Sequence, residues 1–239
     1  MDRSSGVLMP MSSLPSPYGI GTMGKSAYRF VDFLKRSGQR YWQLLPLGPT
    51  SYGDSPYASF STFAGNPYYI DLDLLIRDGL LKKSEVEDVF WGADEERTDY
   101  GAIYVSRFAV LRKAYERGIE RYAAEFAAFR AENASWLENY ALFMALKAHF
   151  GMRSWLEWDD EDIRLRKAEA MERYRRELSD EISFFAFLQF LFEALEHLIV
   201  TAHPHESVDG NTFFAPTEGG VEEKWEVLRR AKRQSRAKS

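Results

Sequence analysis

Apolar positions along the first 75 residues follow a strand, helix, strand order. Val7, Leu8 and Met9 form a short apolar run stopped by Pro10, the pattern of a strand buried on both faces. Ser26 begins a helical stretch with Ala27, Phe30, Val31 and Leu34 on one face, and Gly38 stops it just after Lys35 and Arg36. A second strand follows at Tyr41, Trp42, Leu44 and Leu45, closed by Pro46 and the Gly48-Pro49 pair. Strands and helix in this order predict a βαβ unit with parallel strands, which needs a larger sheet or barrel to cover both faces.

From Ile76 to Phe192 the period becomes helical. Ser84 with Glu87 reads as a capping box. Phe108, Leu111 and Tyr115 mark the apolar face of a long helix, with Arg107, Arg112 and Glu116 expected on its wet side. Tyr122, Phe126 and Phe129 continue a stripe beyond Gly118, which is expected to interrupt or bend the helix. Trp136, Tyr140, Phe143, Met144 and Ala148 define another stripe. After a segment of mixed charge from Ile163 to Ser179, Phe184, Phe187, Leu188 and Leu191 return to helical spacing. Beyond residue 193 the pattern loses coherence. Leu198 to Val200 is a short β-prone core, turn formers follow, and the end is a basic run without apolar periodicity.

Composition narrows the class. The chain has 239 residues, 45% hydrophobic and 28% charged, enough to pack a core. A net charge of -5 argues against a general nucleic-acid binder. There is no cysteine, so disulfides and thiolate metal sites are excluded. No signal pattern and no membrane-length apolar run stand in the sequence, and the expected compartment is the cytoplasm. His203, His205, Glu206 and Asp209 are the one group resembling a metal set, but Pro204 sits awkwardly in the extended strand that would aim both imidazoles one way. No metal and no cofactor is expected.

The most unusual segment runs from Tyr41 to Tyr69. After the strand it carries Tyr52, Tyr57, Phe60, Phe63, Tyr68 and Tyr69 among glycines, prolines and hydroxyl residues. Flat rings and short polar groups suit sugars, whose C–H faces stack while their hydroxyls hydrogen-bond. Asp54, the only carboxylate of that loop, either orders a turn between Gly53 and Ser55 or touches a sugar hydroxyl.

The run GDSPYASFSTFAGNPYYIDLDLL resembles the loop after the second strand of the 4-alpha-glucanotransferases (amylomaltases, disproportionating enzymes) of glycoside hydrolase family 77. The segments RSSGVLMPMSSLPSPYGIGTMGKSAYRFVDFLKRSGQRYWQLLPLGPT, SRFAVLRKAYERG and RLRKAEAMERYRRELSDEISFFAFLQFLF resemble the family in the same order, from about Arg3 to Phe192. The fold class so implied is α/β: the N-terminal part of a TIM (β/α)8 barrel with a large helical insertion after the second strand, the barrel incomplete in this chain. Residues 1–75 then form the first strand-helix-strand unit and cleft loop, 76–192 the helical insertion, and 193–239 a divergent tail, frameshifted or disordered.

The resemblance implies transfer of 1,4-alpha-glucan segments between maltooligosaccharides through a covalent glycosyl-enzyme, without cofactor. The family's catalytic aspartate, glutamate and second aspartate lie on later strands with no counterpart here, so no catalytic residue is carried over and little activity is expected. Ser55 and Tyr57 match sugar-contacting positions beside the catalytic site. Tyr52 matches a position associated with glucan binding farther away. Read without the resemblance, Tyr57 packs on the barrel rim and Ser55 caps a turn. Asn66 and Pro67 are expected to shape the loop's exit. The expected partners are maltooligosaccharides or other alpha-1,4-glucans, neither nucleic acid nor membrane, with self-association through exposed strands. A non-catalytic maltooligosaccharide-binding module and a helical interaction module are the alternatives.

Overall fold

The computed structural model describes residues 5–51, 53–94, 96–202, 205–208 and 211–214, with side-chain surroundings as far as residue 195. Strand β1 (Gly6–Leu8), helix α1 (Lys25–Arg36) and strand β2 (Tyr41–Gln43) form the expected unit. β1 pairs with β2 in parallel, Val7 opposite Trp42. Trp42 locks the three elements together. It is fully buried, its indole N–H donates to Met9 O at 2.8 Å, and Phe30 of α1 meets its ring edge-on at 4.9 Å. Helix α1 ends in a Schellman motif. Gly38, at φ +68°, donates to Lys35 O at 3.1 Å, and Gln39 donates to Leu34 O at 2.9 Å.

The other edge of β2 pairs antiparallel with β4 (Asn211–Phe214), and β3 (His205–Val208) lies outermost, giving the order β1-β2-β4-β3. The neighbour of β2 therefore runs opposite to the all-parallel order of a (β/α)8 barrel. The short connection from β3 to β4 permits only antiparallel pairing of those two strands.

The helical region comprises α2 (Leu72–Arg77), α3 (Ser84–Glu87), α4 (Tyr100–Gly118), α5 (Ala123–Glu132), α6 (Leu137–His149), α7 (Glu161–Arg164), α8 (Ala168–Glu177) and α9 (Ser179–Ala202). α9 is its axis and packs on α4, α5, α6 and α8. Phe187, fully buried, meets the rings of Tyr115, Phe126 and Phe190 within 5.6 Å. α4 ends at Gly118, where only a glycine fits: a Cβ there would lie 2.5 Å from the Phe187 ring. No helix among the described residues is long and apolar enough to cross a membrane.

β1, read as a strand buried on both faces, is an edge strand among the described residues with Leu8 exposed. Four further expectations change. Arg107, read as solvent-facing, is fully buried, because Ile103, Arg107, Leu111 and Ala114 share one face of α4 and all are buried. Its Nη2 donates to Tyr68 O, its guanidinium lies 5.6 Å from the Trp91 ring centre, and Nε and Nη1 have no partner among the described residues. Burial lowers its pKa to about 10, with Asp71 nearby opposing the shift. Leu198 to Val200, read as β-prone, lies in α9. Extending a helix already formed costs far less than starting a strand, so local propensity loses. Ala148, read as part of the buried stripe of α6, is exposed near that helix's end.

The fourth change is at α3. Ser84 makes no cap, and Glu85 accepts instead from Lys82 N–H at 2.8 Å. The Glu85 carboxylate also holds the Arg117 guanidinium in a fork at 2.6 and 2.7 Å. The Arg117 hydrogen bond, then the Lys82 amide, lower the Glu85 pKa from 4.5 to about 2. A depressed carboxylate contributes stability above its unfolded pKa, and that contribution is lost as pH falls through the folded value. The expected outcome is a loss of urea stability between pH 4.5 and about 2. The Arg117→Met variant should show a shallower decline over the same window, measured as midpoint against pH.

Candidate functional site

The aromatic loop leaves β2 behind buried Leu44 and closes on itself at a neck, where Asn66 N–H donates to Leu47 O at 2.8 Å. Buried Asn66 also accepts from Tyr68 N–H at 3.0 Å, capping the 3-10 turn Pro67–Tyr69. Asn66 and Pro67 thus shape the exit of the loop. Within it, hydroxyls and one carboxylate replace regular structure. Asp54, at φ +51°, donates its N–H to Ser51 O at 3.0 Å and accepts from Thr50 Oγ1 at 3.3 Å. Ser59 Oγ donates to Ser61 O at 2.7 Å, and Ser61 Oγ accepts from Ala64 N–H at 3.1 Å.

These contacts resolve the readings of individual residues unevenly. Asp54 makes a turn. Ser55 also does local work, its Oγ facing Tyr57 N–H at 3.4 Å and its carbonyl accepting from Ala58 at 3.0 Å. Tyr57 does not pack down: it is 74% exposed at the loop tip. Tyr52 lies outside the described residues, as do His203 and Asp209. Among the described residues no group of three or more acidic or histidine side chains is placed to hold a metal.

Beneath the loop opens a cleft of about 800 Å³. One wall is the loop itself, with Thr50, Ser51, Asp54 and Phe60. The opposite walls come from α4 through Tyr100, Tyr104 and Phe108, and from α6 through Tyr140, Phe143, Met144 and Lys147, with Trp155 beyond them. Phe60 ties loop to helix, lying 6.4 Å from the Tyr140 ring at an interplanar angle of 12° and 5.7 Å from Phe143. Tyr68 sits at the floor, 6.2 Å from both Tyr100 and Phe108. Ser55 and Tyr57 are not part of this lining. They stand next to it, following Asp54 in sequence.

The cleft's electrostatics favour a neutral, hydroxyl-rich ligand. Burial, reinforced by the Asp54 charge, holds the Tyr68 and Tyr100 hydroxyls above their ordinary pKa, and burial alone does so for Tyr104 and Tyr140. All four remain protonated at neutral pH and stay available as donors. Burial also lowers the Lys147 pKa. Among the described residues Asp54 is the single carboxylate of the lining. Retaining glycosyl transfer takes two carboxyl groups about 5–5.5 Å apart, and the described lining does not bring such a pair together.

A larger opening of about 980 Å³ lies between the Ser12–Ile20 loop and residues 89–98. Its walls are mostly serine, proline, glycine and charged residues, with Phe90 and Trp91 as the rings among the described lining. Sequence reading missed Tyr100, Tyr104, Lys147 and Trp155. The spacing of Tyr100, Tyr104 and Phe108, four residues apart on one helical face, was the available signal.

The family profile of glycoside hydrolase family 77, described as 4-alpha-glucanotransferase, matches residues 9–204, extending past Phe192 where the resemblance read from the sequence ends. The chain is 52% identical over 191 residues to the 4-alpha-glucanotransferase of Streptococcus pneumoniae, covering 80% of this chain and 38% of that relative. It is 46% identical over 196 residues to that of Thermus thermophilus, covering 80% and 38%. Among solved structures it is similar to the amylomaltase of Streptococcus agalactiae in complex with acarbose, with a TM-score of 0.78 and 43% identity over 81% of this chain and 39% of that one. The chain thus spans under two fifths of the length of these relatives. A profile match over most of the chain, together with relatives of this identity, settles its kinship: the chain belongs to the 4-alpha-glucanotransferase family.

Proposed function

We propose that this chain is the glucan-cleft portion of a 4-alpha-glucanotransferase, an enzyme moving 1,4-alpha-glucan segments between maltooligosaccharides by a retaining, two-step mechanism. On this reading residues 1–75 are the first barrel unit with its cleft loop, 76–192 the helical insertion, and 193–239 a tail that diverges beyond the family match ending at 204, in a cytoplasmic protein. The parallel β1–β2 pair joined by α1 supports the barrel assignment. One observation carries the function. The aromatic loop and helices α4 and α6 enclose a cleft whose rings and protonated tyrosines fit a sugar chain. The neighbour solved with acarbose, a complex of that protein, lends the substrate class.

In this reading the chain binds without turning over. Asp54 alone cannot serve both as nucleophile and as acid/base, so binding and chemistry are separable here. Ser55 and Tyr57 serve the neighbouring part of the glucan track, Tyr57 offering its exposed ring for stacking and Ser55 its hydroxyl. Tyr52 extends that track away from the catalytic side.

Titration with maltotetraose, followed by tryptophan fluorescence, tests the reading through Trp155 in the cleft wall. Saturable change is expected. Phe60→Ala should weaken it roughly three- to tenfold, the loss of about 0.5–1.5 kcal/mol of ring contact. No saturable change in the folded chain would refute glucan binding.

Self-association follows from the sheet. β1 is an edge strand among the described residues, and its Leu8 is 53% exposed. Sedimentation should show concentration-dependent dimers or larger species. Leu8→Lys should shift them toward monomer, and a chain that stays monomeric at all concentrations would contradict this expectation.

A further inference from the structure

The cleft loop reaches its neck at Gly65, and what holds Gly65 comes from far along the chain. Gln189 of α9 is buried, and its carboxamide pairs with both backbone groups of Gly65. Gln189 Oε1 accepts from Gly65 N–H at 2.8 Å, and Nε2 donates to Gly65 O at 3.0 Å. The remaining N–H of Nε2 points to Tyr140 Oη, 3.4 Å away. The orientation of the amide is fixed chemically, since one peptide unit demands an acceptor and the other a donor. A glycine is required opposite it. A Cβ at residue 65 would lie 2.2 Å from the Phe192 ring, one turn farther along α9.

We propose that Gln189 is a positioning residue of the glucan cleft. Its carboxamide anchors the closing end of the aromatic loop to α9 and the cleft-wall residue Tyr140 without lining the cleft itself. The inference rests on the glucan-binding reading and deepens it by naming what sets the loop's distance from α6. Three links make the chain of contact. Gln189 holds Gly65, Asn66 beside it closes the neck on Leu47, and Phe60 on the same loop lies along the Tyr140 ring. Shifting Gly65 moves Phe60 relative to Tyr140, and so moves one wall of the cleft relative to the other. A core polar group that only stabilised α9 would have no such effect on the loop.

Residue chemistry supplies the discriminating variants. Gln189→Leu preserves bulk and leaves both Gly65 backbone groups dry and unpaired. Gln189→Glu keeps the acceptor for Gly65 N–H but turns a carboxylate toward Gly65 O. In that dry site the new carboxyl titrates above the ordinary glutamate value, and once protonated it donates to Gly65 O as the amide does. Tyr140, the titratable group in contact, is held protonated by burial and does not change over this range.

The experiment uses the full 239-residue chain. Amide hydrogen exchange is measured across the loop and across α6 and α9, and maltotetraose affinity is measured by calorimetry at pH 7.5 and pH 5. For Gln189→Leu, loop exchange should rise about tenfold with α6 and α9 changed less than twofold, and affinity should fall about tenfold at both pH values. For Gln189→Glu, the affinity lost at pH 7.5 should be largely recovered at pH 5. Unchanged loop exchange in both variants overturns the proposal, and so does faster loop exchange with unaltered affinity. If Gln189→Leu loses protection throughout α9, the two pH values of Gln189→Glu decide alone. If the unmodified chain fails to bind maltotetraose, the glucan reading falls, while loop exchange still decides whether Gln189 holds the loop.

Discussion

Burial of α9 on nearly every side is the constraint on which the rest of the described structure depends. Phe184, Phe187, Leu188 and Leu191 present the surface against which the rings of α4 and α5 and the stripe of α6 pack. The helices of this region are short except for α4, α6 and α9, and short helices are marginal in water without such a surface. The same helix then reaches across to the βαβ unit. Gln189 and Phe192 meet Gly65, and Arg112 of α4 pairs with Asp180 at 3.2 Å near the start of α9. One element therefore sets both the helical core and the position of the loop over it.

The cleft follows from that arrangement. Helices α4 and α6 are held by α9, and the loop is drawn over them by its neck, so the aromatic residues of three separate segments converge. Tyr68 illustrates the cost. Its carbonyl takes a hydrogen bond from Arg107, a fully buried cation with two nitrogens lacking a partner among the described residues. Burying such a group is expensive, and a core built for stability alone would place a hydrocarbon there. Arg107 joins α4 to the exit of the loop, which is where the cleft floor lies.

Much of the fold was legible in the sequence because apolar spacing and turn chemistry agreed over short distances. The βαβ unit and the Schellman end of α1 at Gly38 rest on signals close together in sequence, whereas Gly118 was legible only as a glycine, its tight contact with Phe187 being tertiary. The family was legible for a different reason, the order of several long matching segments. What escaped was tertiary. Arg107 looked like a wet residue because its type outweighed its position on the buried face, and Leu198 to Val200 looked like a strand because propensity carries no memory of the helix already running. Of the site, the loop was found at once, since its composition is unusual. Tyr100, Tyr104 and Tyr140 were hidden among ordinary amphipathic stripes, where a half-exposed ring and a core ring read alike. Gln189 could not have been seen, because its partner Gly65 lies 124 residues away.

The central proposal is that these residues hold a glucan, while the described cleft does not bring together the pair of carboxyl groups that would transfer it. Incubating the purified chain with maltotriose and separating the products, with a full-length relative run alongside, tests this most directly. The account predicts unchanged maltotriose with this chain while the relative yields glucose and longer maltooligosaccharides. Glucose and longer products from this chain would contradict it, and would mean that a second catalytic group stands within these 239 residues.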